Sequence, residues 1–365
     1  MAEKRGTTYK LQKQGQLIRP RPEMPAPGPY YPCLVSMSSV RAFPFDYALY
    51  FSTDHDTEEG GIWLHLCNGD PTEAANWVSY DDAVEAGRFD HLDQKPSANP
   101  IYLDTVQGDG HTETAYANVI DSTVYLTYHK NNCGHNQATL LATSTDGINF
   151  SRLNGDADSI ILDYEPSERH GDGHTGYFRW TPNPFSGIEH AYVGYSLHGG
   201  GDNFHSAIWG SNDAIQWDRL DILDPIQGFA VPKDDMELIW HEIDPTSITR
   251  LDDDEYIAIC GVGTRASGGV ARVTELYEIF LGADGRTLKR ECRKILDVEP
   301  GKDDAEELAQ PTSLLIDDQL LLVYIGARDE GSVNTIMAAV GKLDRTTDRP
   351  TELPESERRR HIQEW

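Results

Sequence analysis

Hydrophobic positions along this chain follow the two-residue period of a β-strand rather than the 3.6-residue period of a helix. The stretch ETAYANVI (113–120) is apolar at positions 115, 117 and 119, as a strand with one buried face should be. A turn at Asp121-Ser122 follows, and then a second strand, TVYLTY. The same grammar recurs along the chain. After DPTSI (244–248) come the turn Asp252-Asp253-Asp254 and EYIAICGVG; after QPTSL (310–314) come Asp317-Asp318 and QLLLVYIGA. HTGYFRW (174–180) and HAYVGY (190–195) flank a longer Pro/Asn/Gly loop, and SSVRAFPFDYALYF (38–51) reads as a fifth opening. The second strands begin near 47, 124, 191, 256 and 320, a spacing of 64–77 residues.

Each unit continues with a third strand: GIWLHLC, ATLLATS, HSAIWGS, VTELYEIF and NTIMAAVG. Short strands in a repeating unit, separated by Gly, Asp and Asn turns, are the signature of a β-propeller. The pattern predicts an all-β, five-bladed β-propeller with four-stranded antiparallel blades around a central axis. Only YDDAVEAG (80–87) reads as helix, a short cap on a blade connection. The last unit runs out of strands at the proline-broken RPTELPESERRR, and an unpaired edge strand is a liability. A segment within residues 7–19 is therefore expected to pair with the last blade and close the ring. The expected organisation is an N-terminal closing and extended segment over 1–32, the propeller over 33–345 and a charged tail over 346–365. The blades fall near 33–105, 106–165, 166–230, 231–300 and 301–345.

The first strand of every propeller blade lines the axis, and its entry faces the funnel. Aligning the five units there puts Ser38, Glu113, His174, Asp244 and Gln310 at one level. Five different polar residues have no packing reason to stand there, because a buried polar group without a partner costs about 1–3 kcal/mol. More polar residues crowd the same mouth: His111 near Glu113, Asp172 near His174, and His241 near Asp244. Two carboxylates facing each other across a cavity can act as acid and base on a glycosidic bond. Glu113 and Asp244 are expected to be such a pair, with Asp172 a third acid and His174 a general acid or substrate ligand. Ser38, Arg41, His111, His205, His241, Arg265 and Gln310 are the expected substrate contacts. His205 and Arg265 stand in glycine-rich loops read as overhanging the funnel. Trp240 and Tyr177 are candidates to stack on sugar faces.

Composition narrows the partners. With 31 basic and 60 acidic residues the net charge is −29, which repels nucleic acid and anionic membranes. No apolar run approaches the roughly 20 residues of a membrane helix, and the N-terminus has no hydrophobic stretch of a secretory signal. Five widely spaced cysteines form no C-x-x-C pair, so neither a disulfide framework nor a zinc ribbon is indicated, and a cytoplasmic location is expected.

The turn STDGINF (144–150), with its near copy SNDAIQW (211–217), resembles the Asp-box hairpin of sialidase-type propellers. The blade opening ETAYANVIDSTVYLTYH and the hairpin TLLATSTDGINF resemble the five-bladed glycoside hydrolases of families 43, 32 and 117. That resemblance implies a hydrolase acting on a short oligosaccharide without a required cofactor. It also implies an Asp base on the first strand of blade 1, where this alignment has Ser38-Ser39-Val40-Arg41, and a Glu acid in blade 3, where Asp172 and His174 stand. Two other readings follow from the same residues. His174 and His241, joined by Glu113, have the donor types to hold a divalent cation at the axis, which would suit a metal-assisted lyase. A non-enzymic carbohydrate-binding propeller is the third, although binding platforms tend to repeat one site in every blade.

Overall fold

The computed structural model describes residues 8–18, 20–25, 28–53, 60–106, 112–131, 137–153, 155, 159–163, 174–200, 203–223, 236–266, 272–290, 292–316, 318–329 and 332–344. At 131, 137, 174, 198–200, 203–205, 236–241, 264–266 and 272–273 it describes the backbone alone. The chain forms five antiparallel blades in a ring. Blade 1 comprises Pro29–Ser36, Tyr47–Thr53, Ile62–Cys67 and Trp77–Ser79. Blade 2 comprises Glu113–Ile120, Thr123–Asn131 and Gln137–Ser144, with Ser151–Arg152 and Ile160–Leu162 sharing its outer edge. Blade 3 runs through His174–Pro182, Tyr192–Gly200, Asn203–Ser211 and Asp218–Leu223. Blade 4 runs through Met236–Arg250, Glu255–Ala266, Arg272–Gly282 and Arg293–Lys294. Blade 5 holds Glu307–Ile316, Gln319–Arg328 and Val333–Leu343, completed by Tyr9–Ile18 from the other end of the chain. The first strand of each blade touches the first strand of the next, and the fifth touches the first, so these strands surround the axis.

Each blade is covered by a neighbour on both faces. Its middle strands therefore bury both faces and read as apolar runs; Ile62–Cys67 is buried at every position. The cores lie between blades: Phe185, Tyr195 and Ile208 meet Tyr256 and Ile279 across the seam of blades 3 and 4. Ring closure is as expected. Tyr9–Ile18 pairs antiparallel with Val333–Leu343, from Tyr9 opposite Leu343 to Ile18 opposite Ile336. Its start is also clasped by blade 4, where buried Glu278 accepts from the Thr8 amide at 2.9 and 2.8 Å and from the Tyr9 amide at 3.2 Å.

Blade 1 departs from the sequence reading. Its inner strand is Pro29–Ser36, not the segment from Ser38, which forms a turn in which the Val40 amide donates to Met37 and the Phe43 amide to Val40. An inner strand has a ladder partner on one side only, so Pro29 and Pro32 cost no hydrogen bond there. Val40, Phe43 and Phe45, which mimicked strand alternation, are loop residues buried in the core of blades 1 to 3.

The two Asp-box-like turns are superimposable in their bonding. Asp146 Oδ1 accepts from the amides of Ile148 and Asn149 at 2.9 and 2.8 Å, and Asp213 Oδ1 from those of Ile215 and Gln216 at the same distances. Gly147 has φ +80°, and an added Cβ would stand 2.6 Å from Met37 Cε and 2.8 Å from the Phe43 ring. Its counterpart Ala214 tolerates φ 61°, so the clash rather than the dihedral decides the outcome. Gly147→Ala is expected to lower stability by about 2–3 kcal/mol, read as a lower urea midpoint at unchanged m-value.

Candidate active site

All five inner strands break register near the axis. The breaks fall between Tyr30 and Cys33, Glu113 and Tyr116, Gly176 and Arg179, Asp244 and Thr249, and Ala309 and Thr312. In four of them the extra residue has positive φ: Tyr31 at 46°, Thr114 at 56°, Tyr177 at 53° and Gln310 at 52°. A non-glycine residue held there costs about 1–3 kcal/mol, and such strain gathers at functional sites. A bulge bends its strand and re-aims side chains. Here it does so at one level of the ring, blade after blade.

Those bulges assemble a connected polar group. The Tyr31 amide donates to Gln310 Oε1 at 2.7 Å, joining blades 1 and 5. The Tyr31 ring lies against Tyr177 of blade 3, with centroids 4.8 Å apart. Tyr177 in turn meets the His129 ring edge-on, at 5.0 Å. His129 Nε2 pairs with Glu113 Oε1, both side chains buried, and His129 Nδ1 lies 2.9 Å from Thr114 Oγ1. The imidazole is thus held at both nitrogens, and it fixes the carboxylate it touches. Burial raises the Tyr31 phenol pKa well above its ordinary value, with Tyr177, Glu242 and Glu113 adding to the effect, so the hydroxyl stays protonated. Tyr31 therefore feels two carboxylates from different blades.

Glu242 is the second of them. Burial raises its pKa above the usual range; Arg179 opposes that shift and Glu307 adds to it. Arg179 Nη2 stands 3.8 Å from Glu242 Oε2, and neither atom has a hydrogen-bond partner among the described residues. The other end of the guanidinium donates to the Pro311 carbonyl in blade 5.

Asp244 occupies a different layer. It is fully buried; Ser313 Oγ donates to its Oδ2 at 2.6 Å and Thr246 Oγ1 to its Oδ1 at 2.6 Å. Its charge acts on Tyr116 and Cys33. With both oxygens engaged, it clasps blades 4 and 5, and the carboxylate grouped with Glu113 is Glu242. Burial raises the Asp244 pKa from 3.8 to about 6. A raised acid binds its proton more tightly when folded, so the stability it contributes is complete below about pH 4 and is lost as pH rises through 6. Asp244→Asn should remove up to about 3 kcal/mol of that decline, measured as wild-type minus variant unfolding free energy between pH 4 and 7.

The other expected site residues divide into four groups. Gln310 belongs to the axial ring. Ser38 and Arg41 are exposed in the turn after the first inner strand, and the structure does not bring them to the axis. The cause is the shifted start of that strand. His111 and Asp172 lie outside the described residues. For His174, His205, His241, Arg265 and Trp240 only the backbone is described. It places them in strands, with His174 opposite Gly199, His205 opposite His198, His241 opposite Val262 and Arg265 opposite Glu237. The metal expectation rests on His174 and His241, whose side chains are outside the description. Among the described residues no group of three or more His, Cys, Asp or Glu could hold a metal ion. No helix among them is long and apolar enough to cross a membrane.

No protein-family model matches the chain, and no curated protein sequence does. Solved structures do. An N-acetylgalactosamine deacetylase from F. plautii in complex with blood group B trisaccharide aligns with TM-score 0.57 at 11% identity, over 93% of this chain and 97% of that one. A structure described as a glycoside hydrolase aligns with TM-score 0.58 at 10% identity, over 94% and 97%. The β-1,2-mannobiose phosphorylase from Listeria innocua in complex with β-1,2-mannobiose aligns with TM-score 0.53 at 14% identity, over 92% and 97%. What they share with this chain is the five-bladed ring. At these identities the likeness establishes the fold and leaves the chemistry to the residues at the axis.

Proposed function

We propose that this propeller is a carbohydrate-active enzyme that hydrolyses a glycosidic bond in a short oligosaccharide at the axis, with Glu242 as general acid and Glu113 as the ionised partner. The observation that carries this reading is the pair of buried carboxylates, Glu113 and Glu242, acting on one tyrosine from two blades. Their surroundings differ as an acid/base pair requires. Burial and the negative charge of Glu307 favour the protonated form of Glu242. Glu113 is oriented by His129. In the proposed step Glu242 gives its proton to the glycosidic oxygen as the bond to the anomeric carbon breaks. Glu113 stabilises the developing positive charge or takes the proton of the attacking water, and the separation of the two groups around the substrate sets the stereochemistry. Tyr31 and Tyr177 offer aromatic surface for the apolar face of a sugar, and Arg179 adjusts the acidity of Glu242. Sugar-processing structural neighbours are consistent with this reading.

The test is leaving-group dependence in phosphate-free buffer, which separates hydrolysis from phosphorolysis. Glu242→Gln should slow hydrolysis of unactivated oligosaccharides by about 10²–10⁴-fold and of dinitrophenyl glycosides by less than tenfold, because a good leaving group needs no proton. Equal losses on both substrates would remove Glu242 from the acid role.

A further inference from the structure

A cleft of about 420 Å³ opens at the seam where the closing strand meets the outer edge of blade 1. It is lined from one side by Leu17, Ile18 and Arg21 and from the other by His65, Trp77 and Asp82. Trp77 belongs to the fourth strand of its blade, so the cleft lies at the rim of the ring and is separate from the axial group. Its volume is in the range of small-molecule sites.

Its lining carries a buried polar atom. His65 is only 6% exposed, and its Nε2 has no hydrogen-bond partner among the described residues. A buried polar atom left so costs about 1–3 kcal/mol, which a ligand hydroxyl would recover. Burial, and then the charge of Arg21, push the His65 pKa down to about 4, so the ring is neutral near pH 7. A neutral imidazole nitrogen suits a hydroxyl, which can donate or accept.

The rim argues against a charged ligand. Arg21 is already paired with Glu23 and with Asp82, the latter at 3.2 Å, and it donates to Ser79 Oγ. An anion would have to displace these partners, and a cation would meet Arg21. Beside the polar Gln16 and Ser79, Leu17, Ile18 and Trp77 supply apolar wall, and the Trp77 indole N–H already donates to the Pro71 carbonyl at 2.9 Å. A neutral hydrogen-bonding group, apolar wall and a charge-balanced rim together fit an uncharged molecule with both hydroxyls and an apolar face.

We propose that this seam cleft is a second binding site, for an uncharged sugar ring, with one hydroxyl on His65 Nε2 and its apolar face against Trp77, Leu17 and Ile18. The proposal is independent of the axial chemistry. A ligand here bridges the closing strand and blade 1, and so also stabilises the closed ring by mass action.

The probes are neutral methyl pyranosides and furanosides, with sodium acetate as the charged control. The protein is labelled with 5-fluorotryptophan and carries Glu113→Gln to prevent turnover; the Trp77 fluorine resonance is assigned from Trp77→Phe. At least one neutral glycoside should shift the Trp77 resonance saturably, with millimolar affinity. The affinity should fall at least tenfold in Ala74→Trp, which fills the cleft from an exposed lining position, and in His65→Phe, which removes the polar atom. Val78→Arg, at a wall residue 36% exposed, blocks the cleft independently should either variant fail to fold. No saturable shift with any glycoside, an equal shift with acetate, or a shift that survives the blocking variants would each overturn the proposal.

Discussion

Glu113→Gln should abolish turnover while leaving the fold intact, with kcat lower by about 10²–10⁴-fold and the melting temperature within a few degrees of wild type. The substitution keeps the shape of the side chain and its contact with His129, and removes only the charge. Because His129 is held by Thr114 on one nitrogen and by the carboxylate on the other, a neutral amide can still satisfy the imidazole. Loss of activity without loss of stability would therefore report on chemistry. The measurement is steady-state hydrolysis of an oligosaccharide panel, with circular dichroism melts alongside. Wild-type turnover in the variant would show that Glu113 is part of the scaffold and would leave Glu242 without its ionised partner.

Removal of Tyr9–Ile18 should be the most damaging change to stability. The strand completes blade 5 and contributes to two seams: Leu17 and Ile18 pack between blades 5 and 1, and Tyr9 packs between blades 4 and 5. Each such side chain contributes about 1.5–3 kcal/mol on burial. Its loss also takes the Thr8 and Tyr9 amides from buried Glu278, which keeps the Arg293 guanidinium at 3.7 Å, and a buried acceptor stripped of hydrogen bonds costs about 1–3 kcal/mol. The total exceeds about 5 kcal/mol, against a typical stability of 5–15 kcal/mol. The truncated protein should lose its cooperative melt or melt at least 10 °C lower, and a synthetic peptide of residues 8–18 should restore it. An unchanged melt in the truncated protein would mean that the ring does not depend on this closure.

Much of the ring was legible because its signals are local. Alternation and a spacing near 65 residues survive in four of the five units, and an Asp turn joins the first two strands in three of them. Blade 1 was misaligned because its inner strand contains Pro29 and Pro32, residues that usually argue against a strand and are harmless only at an edge with one partner. The error carried into the site: aligning on Ser38 hid Tyr31, which stands at the bulge. Glu113 was readable at its blade opening. His129 was recoverable from the hairpin, since the ladder sets it directly opposite Glu113. Glu242 was recoverable from strand alternation, being two residues before Asp244. Which of those two acids joins Glu113 depends on their depth along the axis and on which oxygens are already engaged, and neither has a local signature.

The pairing of Tyr9 with Leu343 also sets the order of events during synthesis. The closing strand is made before the rest of the ring, and among the described strands its ladder partner, Val333–Leu343, is made last. While the ring is being made, its first strand carries an unpaired edge, with an incomplete stack of blades behind it. The ring can shut only after release of its final strand, so closure is a late step governed by contacts of very high sequence separation.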